Sequence, residues 1–86
     1  MTSTVRQSVI EEVAVVLREA GKVMPTPDDS VVLLTGGLNL DSLDVAVLVV
    51  RLEQRLQRDP FADAALDRFP TNLGELIALY ERPGAA

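Results

Sequence analysis

From Ser42 to Gln57 the chain reads SLDVAVLVVRLEQRLQ, a run with no glycine or proline whose apolar residues divide between two nearly opposite helical faces. Counting about 100° per residue, Val45, Leu48, Val49, Leu52 and Leu56 form one stripe, and Leu43, Ala46, Val47 and Val50 form the other. A helix apolar on two sides is either buried on both or buried on one while it docks with the other. In a chain of 86 residues there is room for one core only. The first stripe is its natural inner face. The second is left for a short neighbouring segment, for a partner, or for both.

The remaining elements follow from periodicity and punctuation. Val5, Val9, Val13, Val16, Leu17 and Ala20 recur at three- and four-residue steps and predict a first helix. Ser3 or Thr4 can cap it, with Gln7 completing a capping-box pattern, and Gly21 ends it ahead of Pro25 and Pro27. Residues 22–41 carry both of those prolines and Gly36-Gly37, so they read as a long loop. Val31, Val32, Leu33 and Leu34 are expected to pin it to the core. A short edge strand there is the alternative, although no partner strand is evident. Asp41 is the expected cap of the second helix, Asp44 adds negative charge to its first turn, and Arg55 and Arg58 stand near its end. FADAALDRFP suits a short helix anchored by Phe61, Ala65, Leu66 and Phe69 and closed by Pro70. Thr71 or Asn72 then caps a last helix striped by Leu73, Leu76, Ile77 and Tyr80. The ordered core is expected over about residues 4–81, with a flexible tail at 82–86. The fold class is all-α: a small four-helix bundle with a long loop between helices one and two and a short third helix.

Composition removes several classes of function. There is no cysteine and no histidine, which excludes disulfides, thiol nucleophiles and the usual zinc ligand sets, and takes away the side chain most used for proton transfer near neutrality. A net charge of −5 opposes binding to nucleic acid or to anionic membranes. No apolar stretch approaches the about 18 residues of a membrane span, and no secretion signal stands at the N-terminus. The expectation is a monomeric cytoplasmic protein. Asp28 and Asp29 lack the further ligands of a metal site and read as loop punctuation, while Arg51, Arg55 and Arg58 read as a solvated face offset by acids such as Asp44.

Ser42 is the residue that this pattern leaves unexplained. With Asp41 as the cap, Ser42 occupies the first helical position, where its hydroxyl points outward and is not needed for capping. No histidine exists to activate it, so a serine hydrolase has no general base. A group joined there through a phosphate would lie against free backbone amides at the positive end of the helix dipole. The plain alternative is a capped helix start and nothing more.

LNLDSLDVAVLVVRLEQRL, residues 38–56, resembles the acyl carrier protein family, including its peptidyl and aminoacyl carrier domains. The likeness rests on D-S-L with a leucine three residues before the aspartate and a long apolar helix after it, and extends from Val5 through Tyr80. It implies the four-helix carrier fold and 4′-phosphopantetheine on Ser42, transferred from coenzyme A by a phosphopantetheinyl transferase. By the same likeness Asp41 serves as helix cap and in transferase recognition, and Leu43, Asp44, Ala46, Val47, Val50 and Glu53 meet partners. Those partners are acyl- or aminoacyl-activating and transferring enzymes, and the chain itself has no catalytic residue. Two departures bear on the pathway. Asn39 stands where glycine is frequent, and asparagine best replaces glycine in a left-handed backbone. Val47 stands where glutamate is common, which favours a specialised polyketide, nonribosomal peptide or aminoacyl transfer pathway over general fatty acid synthesis. The competing class is a helical adaptor docking through the second stripe, for which Ser42→Ala is silent and Val47→Asp abolishes binding.

Overall fold

Val9, Val13, Val16 and Leu17 lie fully inside the molecule on one side of the first helix, α1 (Thr4–Glu19). The computed structural model describes residues 4–58, 60 and 69–81, and among these the chain is all-helical. The other helices are α2 (Ser42–Leu56) and α3 (Leu73–Glu81). The short helix expected between α2 and α3 falls at 61–69, of which 61–68 lie outside the described residues, as do Ser3 and the tail at 82–86. Phe69, expected as an anchor there, is 42% exposed.

The end of α1 explains one wrong expectation. The amide of Lys22 donates to the Leu17 carbonyl at 2.8 Å and that of Gly21 to Arg18 at 3.1 Å, with Gly21 at φ 76°. This is the paired bonding of a helix closed by a left-handed glycine. The chain leaves the helical path one residue early, so Ala20 is exposed rather than on the inner face. The capping pattern expected of Ser3, Thr4 and Gln7 rests on side chains outside the described residues; the Gln7 side-chain amide donates to Glu11 at 3.1 Å.

α1 packs against both α2 and α3 around one aliphatic core. α2 contributes Leu48 and Leu52, with Val45 and Leu56 half-buried beside them, and α3 contributes Leu73, Leu76, Ile77 and Tyr80. Asn72 caps α3, its side-chain oxygen accepting the Glu75 amide at 2.8 Å, while Glu75 reaches back to the Thr71 amide at 2.8 Å. Gln57 ends α2 in a left-handed conformation at φ 56°.

The long loop is held by backbone bonds. The amide of Leu33 donates to Thr71 at 3.1 Å and that of Leu73 to Val31 at 2.9 Å, with a single antiparallel bridge between Val32 and Asn72. The partner for an extended segment at 31–34 is thus the residues leading into α3, although no strand forms among the described residues. Of the four apolar residues expected to pin the loop, Leu33 is buried and Val31 half-buried, whereas Val32 and Leu34 face outward. Alternation along an extended backbone turns neighbours to opposite sides. Asp28 accepts bonds from the Ser30 amide and hydroxyl, and Asp29 forms a two-point pair with the Arg6 guanidinium at 2.8 and 3.0 Å. Among the described residues no helix is long and apolar enough to cross a membrane.

Arg51 and Arg55 of α2, and Arg58 just beyond its end, do more than face solvent. Arg51 donates to Glu12 at 2.6 Å, and Arg55 reaches Glu12 at 2.9 Å and Glu11 as well, so the flank of α2 is clamped to α1. Arg58 donates to the Tyr80 carbonyl of α3. Burial opposes ionisation of Glu12, but the hydrogen bonds from Arg51 and Arg55 outweigh it and hold its carboxyl below the ordinary value. A carboxylate depressed in the folded state contributes stability above its unfolded value of 4.5, and that contribution is lost as pH falls through the folded value. Urea midpoints are therefore expected to hold steady between about pH 7 and 5 and to drop towards about pH 3, with a shallower drop for Glu12→Gln.

Candidate functional site

The start of α2 is built from two directions: the turn that leads into it and the lysine that follows α1. Leu38 and Leu40 are buried, and their amides donate to the Val32 and Leu33 carbonyls at 2.8 and 3.1 Å. Asn39 lies between them at φ 60°, the left-handed conformation that asparagine adopts more readily than other side-chain-bearing residues. Its side chain also accepts from the Gly36 amide at 3.2 Å and donates to the Gly37 carbonyl at 3.1 Å. Asparagine thus fills the backbone role of glycine and ties down the preceding turn.

Asp41 is extended and caps α2, its carboxylate accepting the Asp44 amide at 2.8 Å. Asp44 answers by accepting the Asp41 amide at 3.2 Å, which completes a reciprocal capping box. The cap is therefore closed without the serine. Ser42 is exposed at the first helical position, and among the described residues neither its hydroxyl nor the amides of Ser42 and Leu43 make a hydrogen bond.

The second stripe is uncovered among the described residues. Leu43 is 70% exposed, Val50 52% and Val47 38%, with Ala46 exposed between them. Glu53 and Asp41 are exposed at the edges of this strip. Asp44 is not: its side chain is only 12% exposed and turns inward to the cap and to Lys22. Of the residues expected to meet partners, it alone is committed to the interior.

Lys22 is the site residue that sequence reasoning missed. Its ammonium donates to the Asn39 carbonyl and to the Asp44 carboxylate, both at 2.7 Å, and lies 3.9 Å from the Asp41 carboxylate. The Asp44 carboxyl is held below its ordinary range first by the bond from Lys22 and then by the Asp41 amide, and the Lys22 ammonium is stabilised in turn by Asp44. The one available signal was that Lys22 is the sole lysine of the chain. Among the described residues no group of three or more acids could hold a metal ion.

No family model, curated protein or solved structure matches the chain.

Proposed function

We propose that this protein is an acyl carrier protein, modified at Ser42 with 4′-phosphopantetheine and carrying acyl, aminoacyl or biosynthetic intermediates for a specialised pathway. The observation that carries the reading is the exposed Ser42 hydroxyl, released from capping by Asp41 and set at the tip of a helix. The residues present suit the group. The Ser42 and Leu43 amides and the positive helix end favour a phosphodiester at that oxygen. The group supplies a thiol on a flexible arm, which the chain, having no cysteine, lacks.

In the loading reaction the Ser42 oxygen attacks the phosphorus of coenzyme A that bears the pantetheine half. An oxygen–phosphorus bond forms at Ser42, and the bond to the nucleotide half breaks. The nucleotide departs as adenosine 3′,5′-bisphosphate, and the hydroxyl proton passes to a base on the phosphopantetheinyl transferase. Asp41 holds the helix start in place while this happens, and Leu43, Ala46, Val47 and Val50, rimmed by Glu53, form the face that meets the transferase and the acyl- or aminoacyl-activating enzymes. Asp44 acts from inside, through the cap. The proposal includes the four-helix carrier architecture, with the short helix expected from FADAALDRFP, and a monomeric cytoplasmic protein that performs no catalysis itself.

The test is the intact mass of the protein after incubation with coenzyme A, magnesium and a broad-specificity transferase. Wild type is expected to gain the mass of one phosphopantetheine and Ser42→Ala to gain nothing. The uncovered strip from Leu43 to Val50 also fits the adaptor reading. A folded wild type that gains no mass with several transferases gives that reading the field.

A further inference from the structure

We infer that Lys22 is a positioning residue for group transfer at Ser42: its ammonium fixes the Asn39–Asp44 junction and offsets the acids that flank the acceptor oxygen. The inference rests on the carrier reading above and extends it to a residue outside the D-S-L stretch.

The charge balance around Ser42 sets the need. Its neighbours Asp41 and Asp44 both bear carboxylates, and attachment of a phosphodiester brings a further negative charge to the same helix tip. Free amides and the dipole offset part of this, but such effects reach only about one turn and about half a charge. Lys22 is the one cation bonded to the capping box among the described residues, 2.7 Å from Asp44 and 3.9 Å from Asp41. Four arginines are occupied away from the site, Arg6 with Asp29, Arg51 and Arg55 with α1, and Arg58 with the Tyr80 carbonyl.

Geometry supplies the second half. The same ammonium donates to the Asn39 carbonyl, so one group ties the left-handed turn, the cap and the end of α1 together. Lys22 is itself held by its amide bond to Leu17, inside the closing turn of α1. The position of Ser42 is in this way referred to α1 and to the core rather than to a loop alone. The ammonium acts through Asp44 and Asn39 and makes no bond to Ser42.

The test compares initial rates of phosphopantetheine transfer to the wild type, Lys22→Met, Lys22→Gln and Lys22→Arg proteins, each shown by circular dichroism to be helical at the assay temperature. Lys22→Met is expected to lower kcat about tenfold while KM changes less, since the lost contact is not with the transferase. Lys22→Arg recovers most of the rate by restoring the charge. Lys22→Gln, which keeps a donor but no charge, falls between and serves if the methionine variant does not fold. A helical Lys22→Met or Lys22→Gln protein with the wild-type kcat overturns the inference and leaves the carrier reading standing, as does an arginine variant no faster than methionine. A wild type that accepts no phosphopantetheine overturns both.

Discussion

Leu52→Ala is expected to lower the unfolding free energy by about 3 kcal/mol, within the span of about 2–5 kcal/mol seen when a buried leucine is cut back to alanine. The side chain is fully buried in the cluster that joins Val9 and Val13 of α1 to Leu76 and Ile77 of α3. Its loss removes the transfer energy of the missing carbons and leaves a cavity that the helices close only in part. A domain of 86 residues has a total stability of about 4–13 kcal/mol at the usual stability per residue. The substitution therefore consumes a large share of it, and the melting temperature is expected to fall by about 15 °C. Val50→Ala is the control. On the uncovered stripe of the same helix it is expected to change stability by less than about 0.5 kcal/mol. Thermal unfolding of the two variants reads the assignment of faces directly, and an unchanged curve for Leu52→Ala would mean that the inner face of α2 is wrongly chosen.

The faces of α2 were legible because a helix repeats its environment every three or four residues, and all nine residues of the two stripes lie within one uninterrupted run. Asp41 as cap was legible for the same local reason: the acceptor and the amide it serves are three residues apart. The left-handed turn at Asn39, φ 60°, was legible only through the resemblance, in which glycine is frequent at that position. The cap needs only a stretch shorter than two helical turns, and the two faces need one uninterrupted helix.

What the sequence hid is what depends on distance along the chain. Lys22 meets Asp44 across 22 positions, and Arg51 meets Glu12 across 39. Nothing in the local pattern separates such side chains from solvated ones. Read locally, Asp44 is a first-turn acid available to a partner; in space it is the shared acceptor of a cap and a lysine, and its exposure is lost. The same holds at 31–34, where an apolar run suggested four anchors. The backbone there is extended, and the bonds to Thr71 and Leu73 fix which residues turn inward. Gly74, whose place is tight because Asp29 crosses over it, also gave no sign in the sequence.

The two adjacent glycines of the loop are expected to differ sharply, in the reverse of the order that backbone angles alone would give. Gly36 has φ 96°, but a side-chain carbon added there meets nothing within 4 Å. Alanine at Gly36 costs about 1–2 kcal/mol, the penalty of a left-handed backbone. Gly37 has no such angle. A carbon added to it would lie 2.0 Å from the Val32 carbonyl oxygen and 2.8 Å from the Val32 nitrogen. Those atoms are backbone, and that carbonyl already accepts the Leu38 amide at 2.8 Å, so neither side can give way without opening the turn. Opening it withdraws Leu38 from the core and releases the Asn39 side chain from Gly37, and with them the approach to Asp41 and Ser42. Gly37→Ala is expected to cost about 3 kcal/mol or more, the upper end of overpacking penalties. Its amide resonances should move from Leu38 through Asp44, whereas those of Gly36→Ala move only next to the substitution. Urea unfolding of both variants decides the matter. If alanine costs as much at Gly36 as at Gly37, then backbone angle rather than close approach holds this turn, and the path by which the loop sets the Ser42 helix must run through Asn39 alone.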